Sequence, residues 1–179
     1  MAEQGMEPLT MEQIAERAHV AIGTLYKRFQ GKHSLLPLVL ERVQARHVLR
    51  LREFLARPAP PDLAARCREL LLRFTEEQRR SQRLIRSLFV GHLQAPPPAA
   101  AAAHSQEMLG LLRDWLAECR AEVRHPQPEL AIALGLGLVL QTLQTALVFD
   151  RVPGGLSFEA YREEMALLLL RYLGVTNLG

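Results

Sequence analysis

Residues 10–29, which read TMEQIAERAHVAIGTLYKRF, predict two short helices joined by a tight turn. Thr10 is a favoured residue at a helix N-cap, and Gln13 three positions later completes a capping box. After one apolar stripe the pattern breaks, and Leu25 and Phe29 then recur at i, i+4 spacing. The core between the helices is predicted to hold Ile14, Ala15, Ala18, Val20, Leu25 and Phe29. Two short helices facing one small core are typical of a helix-turn-helix.

The polar side of the second helix carries groups that suit DNA. Hydroxyl and basic side chains lie beside small residues that leave room for a groove: Thr24, Tyr26, Lys27 and Arg28, with Ala21 and Gly23. In a helix-turn-helix the second helix enters the major groove by its N-terminal end, and basic and hydroxyl groups hold phosphates. The segment therefore predicts a DNA-reading helix.

Charge is unevenly distributed along the chain. Residues 17–52 hold eight basic residues and one acid, a local balance of +7, whereas residues 58–179 hold 13 of each sign. A basic head on a neutral body is typical of DNA-binding proteins. A solvated charged face on the helix after the motif is the alternative explanation for part of these arginines.

Residues 10–40 resemble the DNA-binding segment of the tetracycline-repressor-like (TetR) family of transcription regulators. The matching positions are Ile14, Ala15, Ala18, Val20, Thr24, Leu25, Tyr26, Phe29, Lys32, Leu35 and Leu36. The resemblance implies that Tyr26 and Lys32 contact phosphates. It places Ala21, Ile22, Gly23, Thr24 and Lys27 near base edges. The family usually has glycine in the turn where this chain has His19, and histidine tolerates a left-handed conformation better than most residues.

The segment before the motif is shorter than the resemblance implies. The family has a full amphipathic helix there, whereas nine residues precede Thr10. We therefore expect most of the first helix to be missing, either because the start was placed too late or because the product is naturally shortened and impaired in DNA binding.

Beyond the motif, the sequence predicts helix after helix and an all-α fold. The predicted domains are a helix-turn-helix DNA-binding domain at 1–50, with its motif at 11–30, and a helical ligand-binding and dimerisation domain at 51–179. The helices are expected at about 34–57 with Ser34 as cap, 62–80, 81–93, 104–124 after a loop at 99–103, 128–149 and 157–173.

The last two predicted helices are apolar on nearly every face. Such helices must be covered on all sides, by the monomer's own core or by a second subunit. The resemblance implies a four-helix dimer interface made by Gly135, Leu138, Leu168, Leu169 and Tyr172, with Ala131, Ala133 and Gly137 also allowing close approach. A dimer would suit a palindromic operator. Residues 130–149 are long enough to span a bilayer, but their polar second half favours a cytoplasmic protein without a membrane partner.

If the family pattern holds, the middle helices enclose a pocket for a small-molecule inducer. Its candidates are Phe74, Phe89, His92, Met108, Trp115, Gln141 and Gln144. Each of them also fits an ordinary core role. A pocket lined mainly by aromatic and apolar side chains favours a hydrophobic or aromatic compound.

The sequence offers little support for an enzyme. The histidines and cysteines lack metal-ligand spacing, and neither a phosphate-binding loop nor a serine elbow is present. We predict no catalytic residue, metal or cofactor, and reduced thiols at Cys67 and Cys119. The predicted function is a homodimeric repressor that a small hydrophobic ligand releases from a palindromic operator. The alternative is a dimeric helical ligand-binding protein that has lost DNA binding with its first helix.

Overall fold

The computed structural model describes residues 10–92 and 99–176, and it describes their side chains except at positions 32, 33, 36, 83–92 and 99–101. Within this part of the chain the α-helices are α1 (Met11–Arg17), α2 (Ile22–Arg28), α3 (Lys32–Leu55), α4 (Leu63–His92), α5 (Ala99–Ala117), α6 (Pro128–Phe149) and α7 (Phe158–Tyr172). Two single 3₁₀ turns, Arg120–Glu122 and Pro153–Gly155, precede α6 and α7. The predicted all-α fold is confirmed. The expectation of a missing first helix concerns residues 1–9, which lie outside the described residues.

The start of α1 is fixed by the predicted capping box. Gln13 N donates to Thr10 Oγ1 over 3.3 Å, and Thr10 N donates to Gln13 Oε1 over 3.0 Å. These bonds give partners to backbone donors that the first helical turn leaves unpaired. The capping box is therefore confirmed.

The turn between α1 and α2 uses a left-handed residue. His19 has φ 52°, one of two positive values among non-glycine residues in the described part of the chain. His19 N donates to Glu16 O over 3.1 Å, and Val20 N donates to Ala15 O over 3.0 Å. These bonds close α1 and redirect the backbone into α2, so histidine occupies the position that usually favours glycine.

The head core is small. Met11, Ala15 and Leu25 are buried, and Ile14, Phe29 and Leu35 pack against them. The prediction was wrong for Ala18, which ends α1 as its C-cap, and for Val20, which is 41% exposed. Both residues belong to the turn, where the backbone leaves the helix face, and Met11 from the first turn of α1 takes the core position instead.

The larger core lies among the last four helices. Helix α4 packs on α6 and α7, α5 packs on α6, and α3 lies mainly along α5. The bulkiest fully buried side chains are Leu63, Leu70, Leu71, Leu116, Ile132, Leu136, Leu143, Leu169, Leu170 and Leu173. Helices α4 to α7 therefore form one bundle, and α3 connects this bundle to the head.

Four predicted helix limits were wrong. Helix α5 ends at Ala117 and not near residue 124. Helix α4 is continuous across the expected break near residue 80, because no glycine or proline interrupts it there. Residues 99–103 begin α5 instead of forming a loop, since alanine has the highest helix propensity. Helix α3 begins at Lys32, and the hydroxyl of Ser34 donates to Gly31 O over 2.8 Å instead of capping the helix.

The last two helices begin and end close to the predicted positions. Ser157 Oγ accepts a hydrogen bond from Ala160 N over 3.1 Å, which caps α7. Gly174 has φ 78° directly after α7, the left-handed conformation that favours glycine. Helices α6 and α7 also approach each other closely at Gly135. A Cβ added there would lie 2.8 Å from Leu169 Cδ1 and 2.9 Å from Tyr172 Cδ1. Gly135 thus allows α6 and α7 of the same chain to approach closely.

Helix α6 and the two thiols were also singled out by the sequence. Among the described helices, α6 is long and apolar enough to cross a bilayer, yet half of its most apolar window is buried inside the protein, as in a core helix.

Cys67 and Cys119 are free and buried. Burial raises the pKa of Cys67 to about 12 and also raises the pKa of Cys119, so both thiols are protonated at neutral pH.

Candidate DNA-binding surface and ligand cavity

Helix α2 presents its candidate contact residues to solvent. Leu25 turns inward and is 8% exposed, which fixes how the helix sits on α1. The side opposite Leu25 is open, and Tyr26 is 50% exposed. The exposed candidates are Ala21, Ile22, Gly23, Thr24, Tyr26 and Lys27. A Cβ added at Gly23 would meet nothing within 4 Å, so this face has room for a partner. Lys32 begins α3, and its side chain lies outside the described residues.

The basic residues of the head and of α3 have different surroundings. Arg17, Lys27 and Arg28 are exposed and have no ion-pair partner in the described part of the chain. By contrast, Arg50 pairs with Glu77, and Arg52 pairs with Glu107 over 2.5 Å. The sequence had counted all five as part of one basic region. Among the described residues, the cations of the head are thus free of ion pairs, whereas part of the positive charge farther along α3 is neutralised.

This head matches a known protein family. Residues 1–39 match the family of bacterial regulatory proteins called the tetR family. The match covers 39 of the 179 residues, so it assigns the head, and not the whole chain, to this family. The match supports a DNA-binding transcription regulator with a helix-turn-helix head. No curated protein matches the chain.

A cavity of about 300 Å³ opens between α3, α4 and α5. Its floor is apolar and comes from Leu51, Phe54, Leu70, Phe74, Met108, Leu112 and Leu140. Charged side chains of α3, α4 and the residue Arg57 just after α3 surround it: Arg50, Glu53, Arg57, Arg73, Glu76, Glu77 and Arg80. A cavity of this size is at the lower end of the range for small-molecule sites, roughly 300–1,000 Å³.

Two buried polar side chains also line the cavity. His47 is 6% exposed, and its Nε2 lies 3.2 Å from Ser81 Oγ and 3.6 Å from Glu77 Oε1. Desolvation by burial lowers the pKa of His47, against the opposing effect of Glu77, so the imidazole is uncharged at neutral pH. Gln78 is 7% exposed, and its Oε1 has no hydrogen-bond partner among the described residues. The cavity wall therefore contains one satisfied imidazole and one unsatisfied amide.

The predicted pocket residues have different locations. Phe74 and Met108 line the cavity. Trp115 is buried instead between Phe54, at a ring distance of 5.5 Å, and Arg66, whose guanidinium stacks 5.1 Å from the indole. Gln141 is exposed and Gln144 half-buried on α6, away from the cavity lining. The side chains of Phe89 and His92 lie outside the described residues.

The sequence reasoning missed the cavity residues on α3 and the amide on α4. His47, Leu51 and Phe54 follow one another at helical spacing, so one face of α3 already carried the signal. The prediction placed the pocket among the middle helices, which do not include α3. Gln78 has no comparable signal, because a glutamine on a charged helix is ordinarily exposed.

The predicted interface residues lie on two different faces of α6 and α7. Leu138 is 59% exposed, Leu168 54% and Tyr172 37%. Leu169 is fully buried in the bundle, and Gly135 faces α7 of its own chain, so the structure removes these two from the surface. Ala131 is also buried. The apolar surface that remains, called the α6/α7 face below, consists of Leu130, Leu134, Leu138, Leu168 and Tyr172.

Proposed function

We propose that this tetR-family regulator is a homodimeric repressor, which binds a palindromic operator through α2 and is released by a small, mainly apolar ligand in the cavity between α3, α4 and α5. One observation carries the proposal: the head exposes the whole outer face of α2 with cations that have no ion-pair partner in the described part of the chain. The phosphate backbone of DNA attracts lysine and arginine side chains that have no ion-pair partner.

Within this proposal the residues of the head divide into two roles. Tyr26 and Lys32 hold phosphates, which sets the position of α2 on the duplex. Ala21, Ile22, Gly23, Thr24 and Lys27 lie along the base edges. The small Ala21 and Gly23 at the N-terminal end of α2 permit the close approach that base readout requires.

The proposed dimer uses the α6/α7 face. Leu130, Leu134 and Leu138 recur every four residues and therefore form one exposed stripe on α6. Exposed leucines in a row favour burial against another apolar surface. A palindromic operator requires two α2 helices about 34 Å apart in successive major grooves, and a two-fold dimer is the arrangement that supplies two such helices.

The dimer is tested by charge substitution at the centre of this face. Leu138→Glu should convert the protein from a dimer to a monomer, because an ionised carboxylate cannot be buried there without a partner. Size-exclusion chromatography with light scattering measures the mass. Leu49→Glu is the matched control, since Leu49 is 58% exposed on α3, outside the face. A dimer that persists in Leu138→Glu would place the interface elsewhere.

Helix α3 provides the physical route for ligand release. Leu35 at its start packs on the head core, whereas His47, Leu51 and Phe54 line the cavity. A ligand that shifts α3 within the bundle would therefore also shift the head. We propose that this shift changes the spacing of the two α2 helices and lowers operator affinity. The proposed domain limit at residue 50 falls inside this continuous helix.

The DNA proposal is tested by selecting a preferred duplex from a random-sequence library and measuring its affinity by fluorescence anisotropy at several salt concentrations. Lys32→Ala should weaken binding to all duplexes and reduce the slope of log affinity against log salt by about one. Arg52→Ala is the control, because Arg52 already pairs with Glu107 in the body. An unchanged slope in Lys32→Ala would refute the phosphate contact. Failure of the wild-type chain to bind any duplex would instead favour a dimeric ligand-binding protein without DNA binding.

A further inference from the structure

The strongest unexplained feature of the cavity is the amide of Gln78. This side chain is 93% buried, and its Oε1 is fully enclosed without a hydrogen-bond partner among the described residues. Buried polar groups are nearly always paired, because an unpaired one loses its hydrogen bonds to water. Gln78 also lines the cavity of about 300 Å³. Rotation of the Gln78 side chain toward the cavity would bring its amide to the cavity surface, where a bound group supplies the missing partner.

Most of the charged residues around the cavity pair with one another, although four arginines and three glutamates leave a net charge of +1. Arg50 and Arg80 both pair with Glu77, and Arg73 pairs with Glu76 over 3.4 Å. Arg57 and Glu53 are both exposed, so water solvates the two remaining opposite charges. Burial of a charged ligand without a buried counter-ion is costly. The excess positive charge belongs to Arg50 and Arg80, whose side chains are 41% and 65% exposed, so the apolar floor contains no buried counter-ion and favours a neutral ligand.

The remaining polar positions of the wall fit the same conclusion. His47 is uncharged at neutral pH, and its Nε2 already contacts Ser81 Oγ at 3.2 Å. The floor of the cavity is made of leucine, phenylalanine and methionine side chains. An amide can present either its oxygen or its nitrogen after rotation of its terminal bond, so a hydroxyl, which both donates and accepts, matches it in either orientation.

We infer that the cavity binds a neutral, mainly apolar compound carrying one hydroxyl group, and that the hydroxyl hydrogen-bonds to the amide of Gln78. This inference rests on the proposed ligand-binding function of the cavity, and it adds the chemical class of the ligand and the residue that recognises it. Gln78 is thus a specificity-determining residue: the apolar floor supplies affinity, and the amide selects for the hydroxyl.

The inference is tested with three naphthalene probes of similar shape, measured by isothermal titration calorimetry on the full chain. The probes are 2-naphthol, which carries the hydroxyl, 2-methylnaphthalene, which lacks a hydrogen-bonding group, and 2-naphthoate, which is anionic. The wild-type protein should bind 2-naphthol about tenfold more tightly than 2-methylnaphthalene. It should bind 2-naphthoate more weakly than 2-naphthol.

The matched variants are Gln78→Leu and Gln106→Leu, the second at an exposed glutamine of α5 outside the cavity lining. Gln78→Leu should abolish the preference for 2-naphthol while retaining binding of 2-methylnaphthalene, and Gln106→Leu should keep the wild-type preference. In the absence of any probe, Gln78→Leu should also raise the melting temperature, since leucine removes an unpaired buried amide. A lower melting temperature would indicate that the amide already has a partner, which would overturn the inference.

Other outcomes separate this inference from the proposed function. Equal affinity of the wild type for 2-naphthol and 2-methylnaphthalene, binding of none of the probes, or tighter binding of 2-naphthoate would overturn the inference, while repression and release by a different ligand would stand. A hydroxyl preference that depends on Gln78 but does not release DNA in the anisotropy assay would support the inference and refute the proposed release.

Discussion

The head and the bundle stabilise their folds in different ways. In the described part of the chain the head core has three buried residues, whereas the bundle core has 22. The head therefore relies on local features such as the capping box of Thr10 and the left-handed turn at His19. The bundle depends on contacts between residues far apart in the sequence. The comparison indicates that the head can open locally while the bundle remains folded.

The largest expected effect tests this difference directly. Leu116 is fully buried in the bundle, and Leu116→Ala should lower the free energy of unfolding by about 2–5 kcal/mol. Leu25→Ala in the head should leave the main thermal transition nearly unchanged but abolish DNA binding, because α2 loses its only fully turned-in apolar side chain. Circular dichroism melts and amide hydrogen exchange measure the two effects.

The comparison fails if both variants lower the main transition equally. In that case the head and the bundle would unfold as one cooperative unit. Selective loss of amide protection in residues 11–28 of Leu25→Ala would instead establish the head as a separate, weaker unit.

The same contrast explains how much the sequence could predict. The head was predictable because its helix-turn-helix is encoded by contacts within a short segment, such as Leu25 and Phe29 one turn apart. The cavity was not, because it joins residues of four helices, for example Arg50 of α3 and Glu77 of α4. The orientation of α6 and α7 could not be predicted from the sequence either. Four consecutive leucines at 167–170 cover every face of α7 at that point, so the pattern could not distinguish the buried Leu169 from the exposed Leu168.

A second substitution pair sharpens the description of the bundle. Gly135→Ala should lower the free energy of unfolding by about 1–3 kcal/mol, since the new Cβ would lie 2.8 Å from Leu169 and 2.9 Å from Tyr172. Gly137→Ala is the matched control two residues along α6, where an added Cβ meets nothing within 4 Å. This control should gain up to about 1 kcal/mol from the higher helix propensity of alanine. Urea denaturation of both variants measures the difference, and equal stability of the two would contradict the close α6 to α7 contact.

The smallest expected effect concerns a titratable group that the bundle buries. Desolvation by burial holds the pKa of His47 below the ordinary value of 6.5, with Arg50 and Arg46 acting in the same direction and Glu77 opposing them. The unfolded chain therefore takes up the proton first as the pH falls, and the folded state loses stability below about pH 6.5 until its own histidine titrates. We expect the melting temperature to fall between about pH 7.5 and 5.5, and to fall less in His47→Gln, which cannot take up that proton. Parallel curves for the two proteins would show that His47 does not contribute to the acid sensitivity of the bundle.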